Sequence, residues 1–208
     1  MSMKLTSRAF QDGGEIPDKH SKRGGNISPA LAWSGVPQGT QSLALIVDDP
    51  DAPSGAFVHW VLYSIRPKTK DLPEDLPSVP ALANGVKQGR SGFSEIGYGG
   101  PQPPSGTHRY FFHLYALDIA IDLPPGVSRL ELDEAMRGHV LEEAQLMGQY
   151  SHREHGSHAA SEKVRGRTLV TITAGALGIK ITWAEDTDSS DQRGRSAPPR
   201  SELGRQRN

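Results

Sequence analysis

Residues 42–47 form an unbroken apolar run, Leu43-Ala44-Leu45-Ile46-Val47 after Ser42, that stops at Asp48-Asp49-Pro50. A strand buried on both faces reads this way, because neither side of its pleat meets water. Residues 57–65 are rich in aromatic and β-branched side chains and stop before Arg66-Pro67, which predicts a second strand. Residues 110–117, Tyr-Phe-Phe-His-Leu-Tyr-Ala-Leu, predict a third. Ser128-Arg129-Leu130-Glu131 is a capping-box pattern, in which hydroxyl and carboxylate satisfy backbone donors at a helix start. Leu132, Met136, Val140 and Ala144 follow at four-residue spacing and predict an apolar helix stripe reaching about Gly148. Strands followed by one helix imply a mainly β domain with the helix packed on its sheet.

Composition sharpens this picture. The 208 residues include 23 glycines and 16 prolines, above the usual combined share of roughly 12%, so many turns and short strands are expected. Residues 97–106 are the densest such segment, and long irregular loops inside compact domains are usually functional. The absence of cysteine excludes disulfides, a thiolate nucleophile and thiolate metal sites. No apolar run is long enough to span a membrane. Met1-Ser2-Met3-Lys4-Leu5 lacks the apolar core of a secretory signal, which makes a cytoplasmic location the expectation.

Charge is uneven. Residues 1–150 carry 13 Lys and Arg against 17 Asp and Glu, whereas residues 151–208 carry 10 against 7. An acidic main body argues against nucleic acid as a partner, since phosphate neutralisation needs a basic face. From Ser151 the character changes: residues 184–208 hold only Ala184, Ala197 and Leu203 as aliphatic side chains, too few to offset ordering entropy. The expected organisation is a domain over 1–153 and a mostly disordered extension over 154–208. A weak hairpin is expected at 168–183, around Ala174-Gly175.

The residues able to carry chemistry gather at strand ends. Asp48-Asp49-Pro50-Asp51-Ala52-Pro53 leaves the first strand, His59-Trp60 lies early in the second, and Gly99-Gly100-Pro101 through His108-Arg109-Tyr110 leads into the third. Two imidazoles, a carboxylate and a glycine-rich backbone able to approach an oxyanion read as an anion pocket. The same residues also read structurally: the Asp-Pro segment as a turn, the histidines as half-buried and carbonyl-bonded, Arg109 as the fork-shaped partner of Asp51, and Phe111, Phe112 and Trp60 as core. His113 and His139 sit in apolar patterns and read as structural. His152, His155 and His158 recur every third residue, with no carboxylate fixed beside them, and no metal site is expected there.

Asp49-Pro50-Asp51-Ala52-Pro53, His59-Trp60 and Gly100-Pro101 through His108-Arg109-Tyr110 resemble the two signature regions of the phosphatidylethanolamine-binding protein family, also called Raf kinase inhibitor proteins. Gly24-Gly25-Asn26-Ile27-Ser28-Pro29-Ala30-Leu31-Ala32-Trp33 and Gly35-Val36-Pro37 look like the opening of its bacterial branch, and the resemblance covers about residues 3–153. It implies a Greek-key antiparallel β-sandwich-like fold with a pocket for phosphate-like groups, including phospholipid headgroups. It places Asp49, His59, Gly100, Pro101, His108 and Tyr110 in that pocket, with Asp51 at its edge. Phe57 and Gln102 stand where animal members carry Trp and Pro, both at the rim.

The function expected is therefore non-enzymatic binding of a small anionic or phosphorylated ligand, with no cofactor. A protein partner such as a kinase and a homodimer complete the partner expectations, the kinase by analogy with animal members. One alternative is a hydrolase of phosphate or acyl esters built on Asp and His, with Ser54 or Ser105 as nucleophile, although neither serine lies in a G-x-S-x-G pattern. Another is an interaction protein whose basic tail does the work.

Overall fold

The computed structural model describes residues 2–152, together with the backbone of residues 168–175 and 178–185. The chain divides into two units at His152/Arg153. In the first, β1 (Lys4–Ser7), β3 (Leu31–Ser34) and β6 (Asp71–Leu72) make a three-stranded sheet. The larger sheet contains β2 (Gly14–Glu15), β4 (Ser42–Asp49), β5 (Phe57–Ile65), β7 (Lys87–Gln88), β8 (Thr107–Leu117) and β9 (Val140–Ser151), in the order β2-β9-β8-β4-β5-β7. β4, β5 and β7 are successive antiparallel neighbours and β8 returns to lie beside β4, which is a Greek key. Only the β2–β9 pair among these is parallel.

The pleat of β4 divides two cores. Leu43, Leu45 and Val47 pack with Trp60, Leu62, Phe112, Leu114 and Leu146 in one core with Leu5, Leu31, Trp33 and Leu72 of the small sheet and with Met3 just before it. Ala44 and Ile46 face the other way, with Val61, Tyr63, Leu132 and Met136. Every residue of β4 is buried, as its uninterrupted apolar run requires.

The single α-helix among the described residues is α1 (Arg129–Met136). Both halves of its capping box are formed: the Ser128 hydroxyl accepts from the Glu131 N–H, and the Ser128 N–H donates to the Glu131 carboxylate at 2.7 Å. The helix is shorter than its apolar spacing predicts. Arg137 caps it and Gly138 turns the chain at φ +78°, after which Val140 and Ala144 belong to β9. A spacing of four is even, so it satisfies a strand's two-residue period as well as a helix's. Burial at Ala144, Leu146, Gly148 and Tyr150, with exposure or half-exposure between them, is the strand's signature.

In the second unit, β10 (Thr168–Gly175) and β11 (Gly178–Glu185) pair antiparallel, with Gly175 opposite Gly178. The strand reaches Glu185, so the expectation of disorder from residue 184 is corrected for the first two residues, which the ladder pairs with Leu169 and Thr168. The rest of that expectation, at 154–167 and 186–208, lies outside the described residues, as do His155 and His158.

Candidate functional site

β4 runs antiparallel to both β5 and β8, so its C-terminal end meets their N-terminal ends. Asp49, His59, His108 and Tyr110 are thereby brought to one end of the large sheet. Asp49, His108 and Tyr110 continue the face of Leu45, Val47 and Phe112. His59 is different. Its odd-numbered neighbours Val61 and Tyr63 face the helix, yet the His59 ring lies edge-on to Tyr110, with centroids 5.1 Å apart. The cause is a β-bulge: Val47 pairs with Trp60 and Asp48 with Val58, which leaves His59 as the extra residue. Bulges re-aim side chains in this manner.

The imidazoles and carboxylates are tied down. His108 Nδ1 lies 2.7 Å from Asp49 Oδ2, and the Asp51 N–H donates to Asp49 Oδ1 at 2.9 Å. His59, 3% exposed, bonds Gly99 O through Nδ1 at 2.6 Å. Burial lowers its pKa and keeps the ring neutral, against the opposing pull of the Gly99 carbonyl and the Asp49 charge. Tyr110 is 1% exposed, and its hydroxyl makes no close hydrogen bond although the Asp49 carboxylate and the Gln102 backbone lie near it. Burial and then the Asp49 charge raise its pKa, so the phenol stays protonated. Asp51 sits at the edge, held by both arms of the Arg109 fork at 2.9 and 2.7 Å, and this pairing brings its pKa down to about 2.

Gly99 and Gly100 act by close approach. A Cβ at Gly100 would lie 2.2 Å from His20 O and 2.6 Å from Lys22 N, and one at Gly99 would lie 2.5 Å from the Phe93 ring. Their N–H groups are already engaged, Gly99 with His59 O and Gly100 with Asn26 Oδ1. The expectation that these glycine N–H groups face an oxyanion is corrected accordingly. Pro101 O accepts from Lys22 N. The wall is thus welded to residues 18–26, of which the sequence singled out Gly24-Gly25-Asn26 as a family-like opening but not as part of the site. The available signal was Asn26 after two glycines, a residue suited to the left-handed backbone it adopts at φ 55°. Phe57 and Phe93 line the rim, with centroids 5.2 and 5.6 Å from His59, and Gln102 is exposed beside it.

Residues 6–151 match the family model for phosphatidylethanolamine-binding protein. The chain belongs to that family. The UPF0098 protein of Methanothermobacter thermautotrophicus is 52% identical over 148 residues, which cover 71% of this chain and 98% of the relative. That of Aquifex aeolicus is 48% identical over 151 residues, covering 71% and 88%. Among solved structures, a phosphatidylethanolamine-binding protein homologue from Chlamydia trachomatis has a TM-score of 0.67 at 41% identity, covering 73% of this chain and 99% of that one. Escherichia coli YbcL, described as a member of the mammalian family, has a TM-score of 0.66 at 31% identity, covering 74% and 100%. The phosphatidylethanolamine-binding protein fold therefore accounts for the first unit. No helix among the described residues is long and apolar enough to cross a membrane.

Other polar residues are structural in this phosphatidylethanolamine-binding protein scaffold. Asp48, one step along the pleat from Asp49, points to the opposite face and pairs with Arg129 of α1 and with His113 Nε2 at 3.6 Å. His113 also meets Glu143 of β9 at 2.6 Å, and Arg129 meets Asp133 at 3.1 Å. His139 pairs with Asp118 and His152 with Pro103 O. No metal-ligand cluster occurs among the described residues. Burial opposes charge on His113, but its hydrogen bonds to Asp48 and Glu143 outweigh that and raise its pKa above 6.5. The stability it contributes is complete below the ordinary value and is lost as pH rises through the raised one. Urea unfolding of His113→Gln between about pH 6 and 9 should therefore show a smaller decline with pH than the parent chain. Parallel curves would contradict the linkage.

Proposed function

We propose that this protein binds a small anionic or phosphorylated ligand at the Asp49–His59–His108–Tyr110 end of its large sheet, without turning it over. The observation that carries the reading is the buried Tyr110 hydroxyl without a close partner, flanked by two fixed imidazoles. An unsatisfied buried donor costs about 1–3 kcal/mol, which a ligand oxygen would recover. Family membership supports the same site. Modulation of a partner such as a kinase is a part of this proposal that rests on analogy, and a cytoplasmic location is proposed with it.

Phosphate or phosphorylethanolamine, present at a hundred times its dissociation constant, should stabilise the protein by about 2.7 kcal/mol and raise its thermal midpoint. His59→Ala and His108→Ala should remove the shift. An unchanged shift in both variants would refute the assignment.

One observation favours hydrolysis as a second reading: His108 Nδ1 bonded to a carboxylate is the arrangement of an oriented general base. Turnover of an activated phosphate ester that disappears in Asp49→Asn would establish it.

A further inference from the structure

The outer face of the small sheet carries a cleft of about 270 Å³ that shares no residue with the His59–His108 end of the large sheet. Its shape follows from the pleat. Leu5, Leu31, Trp33 and Leu72 turn into the core, so the cross-strand neighbours Thr6, Ala32 and Asp71 face outward. β3 is the middle strand, and it and the residue before it present only the methyls of Ala32 and Ala30 there. Arg8, just past β1, lines one side of this low floor, and Asp71 and Pro73 line the other. The floor's backbone is already satisfied: Ala32 O accepts from the Thr6 hydroxyl at 3.1 Å and Ala30 O from the Ser7 hydroxyl at 2.7 Å. Recognition is thus left to side chains. Among the described residues, the Arg8 guanidinium and the Asp71 carboxylate make no hydrogen bond or ion pair, with each other or with anything else. The backbones of β1 and β6 stand two strand spacings apart, roughly 10 Å, and the two side chains do not close that gap.

We propose that this cleft binds a small zwitterion, a free amino acid or short peptide with an apolar side chain. Its carboxylate takes the Arg8 fork, its ammonium meets the Asp71 carboxylate, and its apolar part lies on the Ala30 and Ala32 methyls. The site is independent of the anion site on the large sheet. Size, shape and charge select this class. The volume lies just below the roughly 300–1,000 Å³ usual for small-molecule pockets, which limits the guest to a few heavy atoms. A guanidinium fork matches a planar carboxylate bidentately. Asp71 opposes a simple anion beside Arg8, and Arg8 opposes a simple cation beside Asp71, so a guest carrying both charges satisfies both walls at once. Exposed ion pairs alone contribute little; covering the guest's apolar part against the alanine floor adds to them.

The test is an amide NMR titration of the full chain with leucine, alanyl-leucine, 4-methylpentanoate, which is leucine without its ammonium, and 3-methylbutylamine, which is leucine without its carboxylate. Leucine or the dipeptide should bind at least about tenfold more tightly than either singly charged probe, with shifts at Arg8, Ala30, Ala32 and Asp71 and none at His59 or His108. Comparing leucine with the dipeptide shows which charge spacing the walls accept. Arg8→Gln should bring the zwitterion down to the affinity of the amine, and Asp71→Asn down to that of the carboxylate. Both side chains are exposed, so both variants should keep the parent spectrum away from the cleft. Equal binding of zwitterions and singly charged probes would overturn the proposal, as would zwitterion shifts confined to the His59–His108 end. Silence of the cleft toward both zwitterions at about 20 mM would overturn it too. A coupling energy between Arg8 and Asp71 in a double-mutant cycle would then show that the two charges serve each other.

Discussion

Gly100→Ala is expected to cost about 3 kcal/mol and to abolish ligand-induced stabilisation. The added methyl would overlap three backbone atoms, His20 O, Lys22 N and the Ser21 carbonyl carbon, rather than the yielding tip of a side chain. Those atoms cannot retreat freely. His20 O accepts from the Tyr98 hydroxyl at 2.9 Å, Lys22 N donates to Pro101 O at 3.0 Å, and Gly100 N donates to Asn26 at 2.8 Å. Moving residues 20–22 aside breaks the weld between that segment and the wall beside His59. Urea unfolding and the thermal response to phosphate, measured on the same sample, test both consequences. An alanine variant with parental stability and an intact phosphate shift would show that the wall yields more easily than its contacts imply.

Trp60→Ala should be the most destabilising single truncation, by about 3–5 kcal/mol. Trp60 is fully buried where the two sheets face one another, and its indole N–H donates to Gln88 Oε1 at 2.9 Å. Truncation leaves a cavity and orphans that oxygen on a side chain that is itself fully buried. Trp60 also packs edge-on against Tyr98 at 5.3 Å, the residue just before Gly99, so the damage extends toward the site. Trp60→Phe keeps most of the volume and should lose clearly less. Chemical denaturation of both variants decides the matter: equal losses would assign the cost to the hydrogen bond rather than to the cavity.

Much of this molecule can be read along the chain, for reasons visible in particular residues. The run at 43–47 announces a strand covered on both sides because every position is apolar, and packing cannot make it otherwise. Arg109 and Asp51 announce their pairing because a guanidinium fork fits a carboxylate wherever the two meet. The capping box at Ser128 is a purely local exchange of hydrogen bonds. The short strands at 4–7 and 31–34 were less legible, since Leu5, Leu31 and Trp33 alternate over too few positions to stand out.

The segment at 140–148, expected as helix, is strand for a different reason. Its four-residue spacing obeys two periods at once, and only pairing with β8 makes it a strand. Asp48 and Asp49 are adjacent and chemically identical, so no local feature can say which one serves the site. The pleat decides, sending one to Arg129 and the other to His108. His59 is brought round to Tyr110 by one unpaired residue in the β4–β5 ladder. Local chemistry along the chain thus specified which groups exist and which could pair, because propensities and caps act over a few residues and a guanidinium fits a carboxylate whatever their separation in sequence. Which face each group occupies was left to strand register, because that depends on partners dozens of positions away.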